Sequence, residues 1–200
     1  MKDQTEQIIA LAKEHGVIRT RDIAQHGFNR NHLIKMVDNG VLLRAARGVY
    51  TLADFDVTES HSLVEATQIQ SNGVVCLLSA LSFHNIGTQL PHQIWLAVPY
   101  GSWISNRQTV PVRHITMRPN IHQLGIETHD LEGVPVPIYS IAKTVADCFK
   151  FRNKVGLDVA LEALKEVLRS KLCTRDEIFT FAKQLRVDVI MRRYFEALSE

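Results

Sequence analysis

The sequence predicts an α+β chain: an N-terminal winged helix-turn-helix followed by a mixed α/β C-terminal domain with a helical C-terminal end. Three observations carry that prediction. Residues 16–50, GVIRTRDIAQHGFNRNHLIKMVDNGVLLRAARGVY, give two short helical patterns separated by a glycine turn and followed at once by a hairpin pattern. Residues 93–139 are short apolar runs set among prolines at 91, 99, 111 and 119, as strands are. From Ser140 onward the apolar residues recur at helical spacing.

The elements follow in order. A first helix is expected over 3–14, with Asp3 and Glu6 in capping-box spacing and Ile8, Leu11 and Ala12 on one face. Thr20 is expected to cap a helix over 21–26, and Gly27 to stop it. Asn29 caps the next helix, which runs to about Asn39 and ends at Gly40. Turning about 100° per residue puts Leu33, Ile34, Met36 and Val37 on one arc, with Arg30 near its edge, and leaves Asn31, His32, Lys35, Asp38 and Asn39 outside. Strands over 41–45 and 49–52 enclose a turn at Arg47 and Gly48, so the hairpin presents Arg44 and Arg47. The acidic stretch ADFDVTES, 53–60, then reads as a linker between a domain over 1–53 and another over 58–200.

Thr58 is expected to cap a helix to about Ser71. The run VVCLLSALSFHNI, 74–86, is apolar nearly all round and predicts one buried helix with His84 as a hydrogen-bonded core residue. Strands are expected over 93–98, 103–105, 112–117, 124–129 and 136–139, with a turn at Glu132 and Gly133. Helices over 140–151, 157–171, 174–185 and 189–198 complete the chain, Thr174 and Glu177 forming a second capping box.

Composition bounds the function. In 200 residues, 46% apolar content suffices for an ordinary core. No window approaches the ~18 apolar residues of a membrane span, and MKDQTEQ is too acidic for a secretory signal, so a cytoplasmic location is expected. Three widely spaced cysteines fit reduced structural thiols. Nine histidines include no HExxH spacing, and neither metal nor cofactor is expected.

The net charge of +2 is unevenly spread: from Arg19 to Tyr50 six basic residues face two acidic ones, a local +4 that leaves the remainder at −2. That excess falls on the helix-turn-helix pattern, as contact with DNA phosphates requires. The candidate DNA-binding residues are Arg19, Thr20, Arg21, Asn29, Arg30, Asn31, His32, Lys35, Arg44 and Arg47. Lys35 and Asn31 would reach base edges, Arg19, Arg21 and Arg30 would grip phosphates, and Arg47 would enter a minor groove or touch the backbone. The same charges would also suit a solvated module used for protein contacts. Further on, Lys143, Lys150, Arg152 and Lys154 form a possible partner surface for toxin, RNA or a second stretch of DNA. The alternative is a solvated helix face with a helix-end cation cluster, Lys143 and Asp147 being an i,i+4 brace, and it is the reading favoured of the two.

Catalytic patterns are missing. YGSWIS at Tyr100 matches the Gly-Ser of nucleotidyltransferases, but the next acid after Ser102 is Glu127, whereas two-metal chemistry needs clustered carboxylates. The chain has no Glu-x-Lys, no Gly-x-Ser-x-Gly elbow and no phosphate-binding loop. An enzyme with a cryptic site built from Ser102, His114 or Asp147 stays open as an alternative.

Nearly the whole chain resembles the AbiEi family, the antitoxins of type IV toxin-antitoxin systems. The likeness is carried by ARGVYTL after the second short helix, by VVCLLSALSFHNIGTQLPHQIWLAVP, by IYSIAKTVADCFKFRNKVGLDVALEALKE and by the terminal MRRYFEAL. Where the family's more arginine-rich members carry basic residues, this chain has Asn31 and Ile34. The resemblance implies a repressor that binds inverted repeats in its own promoter, possible dimerisation on them, and a functional partner that is a nucleotidyltransferase toxin. A winged-helix regulator unrelated to any toxin is the alternative of the same class.

Overall fold

The structure is a computed structural model that describes residues 2–15, 17–46, 48–53, 60–105 and 110–197. It is a mixed α+β chain of two units: one comprises Met1–Ser71, Ile104–Val110 and His129–Val136, the other Asn72–Trp103, Pro111–Thr128 and Pro137–Glu200. Among the described residues no helix is long and apolar enough to cross a membrane.

In the first unit the order is α1 (Lys2–His15), β1 (Val17–Arg19), α2 (Thr20–Gln25), α3 (Arg30–Asp38), β2 (Leu42–Ala46), β3 (Val49–Leu52) and α4 (His61–Ile69). The three strands form an antiparallel sheet with β3 in the middle. β1 is absent from the sequence reading, because three residues are too few to show a period of two; it is held by pairing, with Ile18 opposite Tyr50. Ile8, Ala12, Ile18, Ile23, Leu33, Met36, Leu42 and Tyr50 make a shared core.

Two expectations for these helices need correction. Thr20 does not cap α2: the Asp22 carboxylate accepts the Arg19 N–H at 3.0 Å, and the Thr20 hydroxyl donates to the Gly48 carbonyl. Ile34 leaves the expected apolar arc and is 45% exposed, since the core of this unit is narrow enough for Leu33 and Met36 to close it. The caps at Asn29 and the stops at Gly27 and Gly40 are as expected. The Asn29 side chain accepts the Asn31 N–H at 2.9 Å. Both glycines lie at positive φ, +76° and +69°, which lets Phe28 N–H reach Ile23 O and Val41 N–H reach Met36 O. Thr58 and Arg47 lie outside the described residues.

In the second part of the chain come β4 (Val74–Val75), α5 (Leu77–Phe83), β5 (Ile94–Pro99), β6 (Val112–Met117), α6 (Pro119–His122), β7 (Ile126–Leu131) and β8 (Val134–Tyr139). After them follow α7 (Ile141–Lys150), α8 (Arg152–Val155), α9 (Leu157–Arg169), α10 (Arg175–Leu185) and α11 (Asp188–Ala197). The strand order is β6-β5-β4-β8-β7, with β5 parallel to β6, β4 antiparallel to β5 and parallel to β8.

The single helix expected over 74–86 is a strand and a shorter helix. Val74 and Val75 pair with Ala97 and Leu96, and Leu77 at φ 48° turns the chain into α5. A two-residue buried strand of valines cannot be told from a buried helix by hydrophobicity alone. The expected strand over 103–105 does not form, and the short α6, opened by Pro119, was unforeseen. Glu132 and Gly133 turn with φ 54° and 71°, both positive as in a type I′ hairpin. Thr174 and Glu177 form the reciprocal capping box expected of them.

α7 is the centre of the second unit. Val145, Ala146, Cys148 and Phe149 are buried with Trp95 and Ala97 of β5, Ile115 of β6, Ala160 and Leu164 of α9, and Ile178 and Ala182 of α10. Burial of this kind contributes roughly 25 cal/mol per Å2 of apolar surface removed from water, so a helix covered almost all round is the main source of cohesion here.

Candidate nucleic-acid interface

The side chains expected to meet DNA sit on α2, α3 and β2. Arg21 is exposed and lies 3.5 Å from the Asp22 carboxylate, a solvent-screened contact that leaves most of its guanidinium open. Arg19 is half-buried, and its backbone is taken up by the Asp22 cap. Thr20 is half-buried with its hydroxyl turned to Gly48, and Asn29 spends its carbonyl oxygen on capping α3. These two side chains serve the local fold. Arg44 is exposed on β2.

α3 carries the clearest surface. Arg30, Asn31, Ile34, Lys35 and Asp38 are exposed, at spacings i, i+1, i+4, i+5 and i+8, so they line up along one side of the helix. Arg30 thus belongs to the outer row, not to the edge of the core where the helical wheel sets it. His32 is half-buried and flanks the row. Ile34, missed as a surface residue, stands in the middle of it. Its position one turn from both Arg30 and Asp38 was the available signal. The row combines a guanidinium, an amide, an ammonium, a carboxylate and one methyl-bearing side chain, which are groups that can distinguish base pairs in a major groove.

The second cluster loses one member. Lys143 is fully buried, and its ammonium forms an ion pair with Asp147, also fully buried. The ammonium lies 4.1 Å from the ring centroid of Tyr139, whose hydroxyl donates to the His122 carbonyl at 2.7 Å and whose carbonyl accepts from His84 Nε2 at 2.8 Å. Lys143 therefore has no part in a partner surface. Arg152 donates to the Phe149 carbonyl at 2.9 Å and closes the end of α7, while Lys150 and Lys154 are exposed.

Burial raises the Asp147 carboxyl above its ordinary range, with Lys143 opposing the shift, and it pushes the neighbouring thiols of Cys76 and Cys148 up as well. Those cysteines are protonated and unreactive under ordinary conditions. Asp147 is closed off from solvent, so it offers no acid to a substrate. Ser102 accepts a hydrogen bond from the Asn72 amide at 2.9 Å, and burial lowers the pKa of His114. Among the described residues no group of three or more His, Cys, Asp or Glu side chains could hold a metal ion.

A small α+β unit with a three-stranded antiparallel sheet, in a mixed α+β chain of two units, is the class that these elements define. Residues 6–53 match the family model described as "Transcriptional regulator, AbiEi antitoxin", the family that the sequence resembles. No curated protein matches the chain. Among solved structures, the chain is similar in fold to the RV2827C protein from Mycobacterium tuberculosis: 11% identity, a TM-score of 0.57, with 90% of this chain and 71% of that chain covered.

Proposed function

We propose that this chain is a DNA-binding antitoxin of the type IV kind. Residues 1–53 act as a winged helix-turn-helix that represses the chain's own promoter in the cytoplasm, and residues 58–200 act against a cognate nucleotidyltransferase toxin. It has no catalysis of its own. The observation that carries the reading is the coincidence of the family match over 6–53 with the exposed row of α3. In this reading α3 lies in the major groove. Asn31 and Lys35 meet base edges, Ile34 packs on a thymine methyl, Arg19, Arg21 and Arg30 meet phosphates, and Arg44 and Arg47 follow the wing. Two copies on an inverted repeat would match the two-fold symmetry of such a site.

Two experiments test it. The protein should retard a duplex made from its own upstream region and leave a scrambled duplex of equal length unretarded at physiological salt. Co-expression with an adjacent gene that encodes a nucleotidyltransferase with a Gly-Ser and paired acidic residues should restore growth. Specific retardation without rescue would leave a promoter-binding regulator unrelated to a toxin.

A further inference from the structure

In the second unit a cavity of about 380 Å3 opens where the C-terminal ends of α7 and α10 meet the segment between β6 and α6. Three of its lining residues are cations from three different elements: Arg118, which precedes α6, Lys150 at the end of α7 and Arg186 just after α10. Its polar lining also includes Asn120 and Gln184, and no carboxylate lines it. All three cations are exposed, and among the described residues none of them forms an ion pair. Phe151 lines the same wall and is half-buried.

Cations often gather at helix C-termini to answer exposed carbonyls. That does not account for this set. The end of α10 is already closed by backbone, Arg186 N–H donating to Lys183 O at 3.1 Å and Val187 N–H to Ala182 O at 2.9 Å, and at the end of α7 the Phe149 carbonyl is taken by Arg152, not by Lys150. Arg118 stands at the N-terminal side of α6, where the helix field repels a cation. Arg186 also sits at φ 58°, in the left-handed region that favours glycine, so nothing in the backbone calls for arginine there. Three unanswered positive charges converging on a cavity with amide donors and an aromatic wall make a site for a compact, multiply charged anion that carries a flat ring.

We propose that this cavity binds a nucleoside phosphate, with Arg118, Lys150 and Arg186 on the phosphates, Asn120 and Gln184 on the sugar or base edge, and Phe151 beside the base. Two guanidiniums and one ammonium match the charge of a di- or triphosphate, and a cavity of this volume falls in the usual range for small-molecule sites. The phosphate comes either from a free nucleotide or from the triphosphate end of a nucleic acid strand. The site lies outside the segment assigned to promoter binding and is independent of that assignment.

The test uses the full chain and ATP, titrated by calorimetry at low salt without magnesium. Saturable binding is expected, weakened about tenfold by Lys150→Ala and by Arg186→Gly. Arg186→Gly relieves the positive φ, so its melting temperature should equal or exceed that of the parent, and loss of binding in a chain of undiminished stability isolates the charge. Competition by a short RNA with a 5′-triphosphate, but not by its 5′-hydroxyl form, would assign the site to strand ends. Failure of that RNA to compete would assign it to free nucleotides. Absence of ATP binding, binding unchanged in both variants, or equal competition by inorganic phosphate would overturn the proposal.

Discussion

The Thr20 hydroxyl donates to the Gly48 carbonyl at 3.3 Å, and the Thr20 N–H reaches the same oxygen at 2.9 Å. One carbonyl in the hairpin turn thus receives both donors of the residue that opens α2. Gly48 adopts φ +79°, and a Cβ on it would lie 3.0 Å from Thr20 Oγ1. Gly48→Ala therefore combines left-handed backbone strain with a contact on the tie itself, and should lower stability by about 1–2 kcal/mol in urea denaturation. If a hairpin shift relieves both, the loss will be absent and the tie is not a fixed feature.

Arg21 and Arg47 test the DNA reading through salt. Each phosphate contact adds about 0.9 to the slope of log K against log salt, so Arg21→Ala and Arg47→Ala should each flatten the slope by about one unit on the promoter duplex. Affinity for scrambled DNA should fall by the same factor. An unchanged slope would remove that arginine from the interface.

Ile34 makes a separate prediction about sequence preference. Ile34→Ala should cost little stability, because 45% of the residue is exposed, yet should weaken the promoter duplex more than scrambled DNA. A loss equal on both duplexes would mean that Ile34 does not meet a base.

The buried pair in α7 should respond very differently to single and double substitution. Lys143→Met strands the Asp147 carboxylate in a dry core and should cost about 3–5 kcal/mol. Lys143→Met combined with Asp147→Leu removes both charges and should recover most of that loss in equilibrium denaturation. Additive losses would show that the two side chains act separately.

Glu65 supplies a pH signature. It is 8% exposed, and burial raises its pKa above the ordinary carboxylate value, with His61 opposing the shift. A carboxyl with a raised folded-state pKa favours the fold below its unfolded pKa and loses that benefit as pH climbs through the folded value. Glu65→Gln should accordingly raise the melting temperature near neutral pH, and the difference should shrink as pH falls toward 4.5. A gain independent of pH would place its cause elsewhere.

What the sequence disclosed was local. Asn29 with Asn31, and Thr174 with Glu177, are legible because a cap is an interaction over two or three residues. The strands of β5, β6 and β8 show themselves by runs of apolar residues between prolines. β1 and β4 do not, because strands of three and two residues exist only through their partners. Lys143 shows the same limit at the site. Its i,i+4 spacing to Asp147 is that of a surface brace, and its burial follows from tertiary packing that the spacing does not carry: the ring of Tyr139 on one side, and on another the distant Gly125, where a Cβ would come within 2.8 Å of Lys143 Cβ. Ile34 errs the opposite way, since a periodic apolar arc does not disclose how wide the core beneath it is.

Asn29 caps α3 at its start and Gly40 stops it at its end. Its length is not adjustable without losing the cap or the stop. One inserted residue inside α3 would rotate everything beyond it by about 100°, carrying Lys35 toward the core and Met36 toward solvent. On the proposed function, a chain of this build acquires a new operator by exchanging side chains on the outer row, and hardly by lengthening or sliding the helix. Divergence between chains that share that function should thus concentrate at positions 30, 31, 34 and 35, with the interval from Asn29 to Gly40 constant.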